Sequence, residues 1–359
     1  MKKLIKLLMI LMMTGLLLYC KKDETDEPDQ LLIGWVGGTI FDGYGVILHT
    51  TDGGKNWTRQ GSIDVLDEAN IDYISAVSED IVWACGTPVN GKPSIFKTID
   101  RGENWERIGG GKNIPVVEYG GIDGIGNNIA WAVGNEGVII KTTDGGANWT
   151  RQDDGTLTKN AYDGISVVDE NHVWISGTFY GDQNQIAIIY HTSDGGQNWY
   201  RQAENYIPAQ LDGFIDIHAC SPNDAWAVGT GDGAIRTKDG GQTWEVMDSP
   251  GGGLNHNNGV CMVDKDNIWI APDDGVRYYS EATGKWEEFN LDIDPAAIWP
   301  VTIGATALSK DTVWMVTSAG GNVVQGEIFY TENGGSSWKK QNTSVVSSFR
   351  RITFPKGVR

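Results

Sequence analysis

Residues 50–60 read TTDGGKNWTRQ, and residues 142–152 read TTDGGANWTRQ. The same Asp-Gly-Gly turn ending in tryptophan returns as TIDRGENW from Thr98, TSDGGQNW from Thr192 and TKDGGQTW from Thr237. Two degenerate copies, YSEATGKW from Tyr279 and TENGGSSW from Thr331, bring the total to seven. Their closing tryptophans, Trp57, Trp105, Trp149, Trp199, Trp244, Trp286 and Trp338, lie 42 to 52 residues apart. A period of that length signals a repeat architecture and has to be read before any local structure.

A second tryptophan precedes each turn inside an apolar run: Trp35, Trp83, Trp131, Trp174, Trp226, Trp269 and Trp314. Fourteen of the 15 tryptophans therefore belong to the repeat, and Trp299 stands outside it. Each unit reads as an apolar strand, a polar turn, the tryptophan strand and a Gly-containing loop. A third strand ending in His, Lys, Arg or Tyr, the Asp-Gly-Gly turn and a fourth strand complete it. Short runs such as IWIA and VIIKT, bounded by Gly, Asp and Asn, carry no helical spacing. The expectation is an all-β chain: a seven-bladed β-propeller of four-stranded antiparallel blades. The first unit lacks its first strand and the last is followed by an extra one, SSFRRITFP. The C-terminal strand is thus expected to complete the first blade and close the ring.

The pattern T-x-D-x-G-x-x-W resembles the Asp-box, or BNR repeat, of sialidases, sortilin-type receptors, some large glucanases and the photosystem II assembly-factor family. The fuller unit NNIAWAVGNEGVIIKTTDGGANWTRQ from Asn127 looks most like the assembly-factor type. That resemblance spans residues 31–354 and implies the fold; the families sharing the box do unrelated things, so it does not fix function. Residue chemistry independently makes the box structural. An Asp in a tight turn accepts backbone N–H bonds, the glycines supply positive φ, and the Thr hydroxyl adds a bond. Five such turns, at Asp52, Asp100, Asp144, Asp194 and Asp239, point to five places around a ring and cannot converge on one substrate. Glu281 and Asn333, which replace Asp in two copies, imply that a weaker turn is tolerated there.

The N-terminus, MKKLIKLLMILMMTGLLLYC, has the charge and apolar length of a secretion signal. LLYC resembles a lipoprotein processing site, which implies cleavage before Cys20 and lipid on that residue. Residues 1–19 read as the signal, 20–30 as a disordered acidic tether and 31–359 as one propeller domain. The expected location is the cell envelope or cell surface, lipid-anchored at the outer membrane; the alternative is an ordinary signal with a bystander cysteine and a secreted protein. Without residues 1–19 the chain has 25 basic and 47 acidic residues, a net charge of −22. Such a surface repels nucleic acid and anionic headgroups, leaving the lipid as the membrane attachment. Cys85, Cys220 and Cys261 read as buried free thiols; the alternative is a Cys220–Cys261 disulfide that leaves Cys85 alone.

Function is sought where the repeat breaks, in the loops between second and third strands and between blades. The entries to the innermost strands pair carboxylates with aromatics: Asp72 with Tyr73, Glu118 with Tyr119, Tyr162 with Asp163, and Asp212 near Phe214. Arg350 and Arg351 join them from the closing strand. Facing a common channel mouth, these residues are candidates to bind a sugar, a peptide or a cation. The five His residues form no ligand cluster, and nucleophile elbows and phosphate loops are absent, so no metal, cofactor or catalytic residue is expected. The resulting expectation is a monomeric binding or scaffold propeller for a protein or glycan partner, by resemblance an assembly factor for an envelope complex. A sialidase-like or other glycoside hydrolase is the alternative.

Overall fold

The computed structural model describes residues 32–108, 114–208, 211–248, 256–292, 298–320, 326–343, 345 and 347–355. The expected signal, Cys20 and the tether lie outside these residues. Described helix is confined to one turn, α1 (Ile63–Leu66), and a 3-10 turn at Asn135–Gly137. All else that is regular is strand.

Blade I takes β1 (Gly34–Phe41), β2 (Tyr44–Thr50) and β3 (Thr58–Gln60) from the start of the fold. Blade II is β4 (Ile71–Ala76), β5 (Val82–Val89), β6 (Lys92–Thr98) and β7 (Glu106–Ile108). Blade III is β8 (Gly121–Ile125), β9 (Ile129–Val133), β10 (Ile139–Thr142) and β11 (Thr150–Arg151). Blade IV is β12 (Asn160–Val167), β13 (Val173–Tyr180), β14 (Gln185–Thr192) and β15 (Tyr200–Gln202). Blade V is β16 (Phe214–Ala219), β17 (Ala225–Gly229), β18 (Ala234–Thr237) and β19 (Glu245–Val246). Blade VI is β20 (Asn257–Met262), β21 (Asn267–Pro272), β22 (Val276–Ser280) and β23 (Lys285–Phe289). Blade VII is β24 (Ile298–Ala307), β25 (Val313–Gly320), β26 (Ile328–Thr331) and β27 (Lys339–Gln341). The last strand, β28 (Phe349–Thr353), pairs antiparallel with β1, so the order in blade I is β28-β1-β2-β3.

Each innermost strand touches those of both neighbours, including β24 with β28 and β28 with β4. The ring is therefore closed as a seven-bladed propeller, with the chain's end supplying the strand its start lacks. The described core is divided into seven apolar clusters, one per interface between adjacent blades. Packing on both faces explains why the tryptophan strands read as unbroken apolar runs rather than alternating ones. The seam where the ring closes has its own cluster, built around Trp57, Trp314, Phe349 and Phe354.

The boxes behave as fasteners. In blade III the Thr142 hydroxyl donates to Asp144 Oδ1 at 2.9 Å and accepts the Gly146 N–H at 2.9 Å. Asp144 Oδ1 accepts the Asn148 N–H at 2.8 Å, while the Gly145 N–H donates to the Asn128 carbonyl in the neighbouring turn of the same blade. Gly145 and Gly146 have φ of +75° and +97°, conformations open to glycine without a Cβ penalty. The box tryptophan then crosses to the preceding blade: Trp149 meets Trp83 edge to face at 5.9 Å, and Trp244, Trp286 and Trp338 repeat this on Trp174, Trp226 and Trp269. Asn333 keeps the Asp pattern, accepting from Thr331 and from the Ser337 N–H. Glu281 instead pairs with Arg236 and Lys238 of the preceding blade, which hold its carboxyl down at about 2.

No disulfide joins the three described cysteines, so the disulfide alternative is corrected. Cys220 is only partly buried, unlike Cys85 and Cys261.

Candidate functional site

Innermost strands run from the rim bearing the variable loops to the rim bearing the boxes. At the loop-rim end, six of the seven depart from regular pairing in the same way. The register slips between Ile71 and Tyr73, Tyr162 and Gly164, Phe214 and Asp216, Asn257 and Gly259, and Thr302 and Gly304. On β28 it slips between Phe349 and Arg351. Each slip is a β-bulge that leaves one residue outside the ladder: Asp72, Asp163, Ile215, Asn258, Ile303 and Arg350 in turn. Bulges re-aim side chains and gather at the rims of barrels and next to functional sites. Here they set a ring of residues at the channel mouth.

That ring has two unlike halves. On blades I to IV it carries Arg350, Asp72 and Asp163, with Glu118 supplied by the segment leading into β8. Arg350 Nε lies 3.8 Å from Asp72 Oδ1. Burial raises the Asp72 carboxyl to about 6, with Arg350 opposing and Glu118 adding to the shift. Asp163 is exposed at the mouth yet surrounded by the ring; burial among these neighbours and then Glu118 push it up to about 7, against Arg351. Glu118 is exposed and accepts from the Asn135 side chain at 3.3 Å. On blades V to VII the ring carries partly exposed Ile215 and Ile303 beside Asn258, which donates to the Thr302 carbonyl at 2.9 Å.

One residue deeper, the channel is spanned. Arg351 of blade I reaches Asp216 on the far side of the ring, in blade V, through contacts of 2.6 and 2.7 Å. Asp216 Oδ2 also accepts the Val260 N–H at 2.9 Å. The guanidinium lies 4.5 Å from the centre of the Tyr73 ring, whose hydroxyl donates to the Ile165 carbonyl in blade IV at 3.2 Å. Burial disfavours the guanidinium's charge, and Asp216 more than offsets it, so Arg351 stays protonated. Asp123 ties three blades together, accepting from Ser75 at 2.6 Å and from the Val167 N–H at 2.8 Å. Below this layer, toward the box rim, lies a cavity of about 130 Å³ lined by Tyr73, Asp216, His218, Cys261 and Arg351 among others, and by no bulge residue.

The sequence candidates therefore separate. Asp72, Asp163, Glu118 and Arg350 meet at the mouth. Asp212 is exposed on the loop before β16, where Thr230 caps its N–H at 2.9 Å. Tyr119 and Tyr162 are buried in the interfaces between blades, so they form wall rather than a ligand platform; Phe214 is buried likewise. Arg351 and Tyr73 form the plug. Its other members, Asp123, Asp216 and Ser75, were not singled out by the sequence reading, although a carboxylate inside an apolar strand such as IDIHA is a usable signal. Among the described residues no group of three or more His, Cys, Asp or Glu side chains is placed to hold a metal ion.

The sequence matches the family described as Photosynthesis system II assembly factor YCF48 over residues 32–164 and 207–356. The chain belongs to this family. No curated protein sequence matches it. Among solved structures, a YCF48 bound to D1 peptide superposes with a TM-score of 0.60 at 15% identity, over 81% of this chain and 91% of that one. YCF48 from Cyanidioschyzon merolae gives 0.59 at 19% identity, over 81% and 94%. The GH74 xyloglucanase from Xanthomonas campestris gives 0.52 at 12% identity, over 85% of this chain and 58% of that one. At these identities the likenesses concern the YCF48-type propeller fold alone.

Proposed function

We propose that this YCF48-family member is a non-catalytic binding propeller that holds a segment of a protein partner on its loop rim, over the channel mouth, while that partner's complex assembles. The observation carrying this is where apolar surface is left uncovered. Among the described residues, five of the eight exposed large apolar side chains lie at that one rim: Ile40 and Tyr180 near strand ends, Ile63 on α1, and Val116 and Tyr206 in loops between blades. Exposed apolar side chains gathered on one face are the signature of an interaction surface. A YCF48 structure holding a peptide of D1 is in keeping with this use of the fold.

Export and lipid anchoring through Cys20 belong to the same proposal. Leu32 bridges in parallel to Asp52, and its carbonyl accepts the Gly53 N–H at 2.9 Å. The chain thus enters the fold at the box rim, and an anchor upstream of it presents the loop rim away from the membrane. The test places a photo-crosslinking amino acid at Tyr180 or Tyr206, with Tyr200 outside the rim as reference. A protein partner captured from the rim positions alone supports the reading; capture from Tyr200 alone overturns it. Cys20→Ala is expected to release the protein from the membrane fraction, and unchanged partition refutes the anchor.

Glycoside hydrolysis is the rival, favoured by one observation: a carboxyl raised to about 7, as at Asp163, suits a general acid. Turnover of fluorogenic glycosides that is lost in Asp163→Asn would replace the binding reading.

A further inference from the structure

The halved ring at the mouth narrows the partner's chemistry. Taking the loop rim as the partner-binding face, the geometry points to a basic side chain, Lys or Arg, of the bound protein segment as the group that enters the mouth. Three features converge. The bulges on β4 and β12 set Asp72 and Asp163 on one side of the opening, with exposed Glu118 between their blades, so a cation there faces three carboxyl groups against Arg350 and, from the layer below, an Arg351 already paired with Asp216. The bulges on β16 and β24 set Ile215 and Ile303 on the other side, flanking Asn258, whose amide is held by Asp273 and the Thr302 carbonyl; the two isoleucines offer apolar surface to the methylene stem that Lys and Arg carry behind their charge. The Arg351–Asp216 pair closes the floor, so the opening is blind rather than a passage for a chain. Acidic or glycan segments gain nothing from this arrangement: the first is repelled, and Tyr119 and Tyr162 are too buried to stack on a sugar.

The charge of the whole chain, −19, adds attraction for a basic segment at long range, and binding through it weakens with salt. The experiment uses the full-length protein and four fluorescent dodecapeptides, identical except for a central Arg, Lys, Gln or Glu between leucines, followed by anisotropy. The Arg and Lys peptides are expected to bind at least tenfold more tightly than the Gln and Glu peptides, and to lose at least threefold between 50 and 300 mM salt, values on the order expected for a few charge contacts. The pair Glu118→Gln with Asp163→Asn should remove that preference, and Ile215→Ser with Ile303→Ser should weaken the Arg peptide. Asp311→Asn, exposed at the opposite, box rim and paired with Lys310, should change neither. Equal binding of all four peptides, no binding of the Arg and Lys peptides, or an Arg preference that survives the carboxylate variant overturns the inference. Should rim crosslinking still capture a protein partner in the carboxylate variant as in the wild type, the basic-socket inference fails while the protein-binding reading stands. Capture from Tyr200 alone sinks the reading itself.

Discussion

At the scale of the residue, the box is most exacting at its threonine rather than its aspartate. Thr142 is buried, and its hydroxyl is the acceptor for the Gly146 N–H. Thr142→Val keeps the shape but leaves that donor buried without a partner, an expected loss of about 1–3 kcal/mol. Asp144→Asn should cost less, about 0–1 kcal/mol, because Asn333 already closes the same turn with an amide. Urea denaturation reads both as shifts in midpoint at unchanged slope. The residue just before the box threonine also gains a meaning. Lys97, Lys141, His191 and Tyr330 lie over the rings of Trp83, Trp131, Trp174 and Trp314, with separations of 4.5, 4.4, 3.8 and 4.8 Å. The sequence shows His, Lys, Arg or Tyr there without a reason. The reason is that a cation or a ring is equally able to cover an indole face, so chemistry varies while position does not.

At the scale of the element, strand count, strand order and the closing role of β28 were legible because each blade repeats its turn and its tryptophans. The bulges were not. A bulge is a slip of one strand against its partner, and Asp72 or Asp163 looks alike in sequence whether it sits in the ladder or outside it. Nor was the plug legible, since Arg351 and Asp216 are 135 residues apart and meet only because the ring brings blades I and V face to face. β28 therefore closes the propeller twice, by pairing with β1 and by sending Arg351 across the axis. Arg351→Met would leave Asp216 buried and unpaired, at an expected cost of about 3–5 kcal/mol. Adding Asp216→Asn, which removes the charge and keeps an acceptor for the Val260 N–H, should restore much of that loss. A double-mutant cycle in urea checks the pair, and strictly additive losses would mean that the two side chains do not act on each other.

At the scale of the whole molecule, stability and binding make opposite demands on the pH at the mouth. Asp72 at about 6 and Asp163 at about 7 hold protons in the folded protein where an unfolded Asp, near 3.8, has lost them. Folding takes up protons between about pH 4 and 7, so this site's contribution to stability falls as pH rises through that window and levels off above it. The groups setting the shift are Glu118 beside both carboxyls, Arg350 and the Thr87 amide at Asp72, and Arg351 at Asp163. Repulsion within a chain of net charge −19 trends the same way, so the comparison has to be made against Asp163→Asn, whose stability should drop less between pH 5 and 8. The same ionisation that costs stability creates the charge a basic segment needs. Affinity for the Arg peptide should rise from pH 5 to pH 8 by about fivefold, on the order of 1 kcal/mol, and the rise should shrink in Asp163→Asn, where Asp72 alone is left to ionise in that window. Stability and affinity moving in opposite directions over one pH window, through the same two carboxyls, is a result that a mouth binding no basic group does not produce.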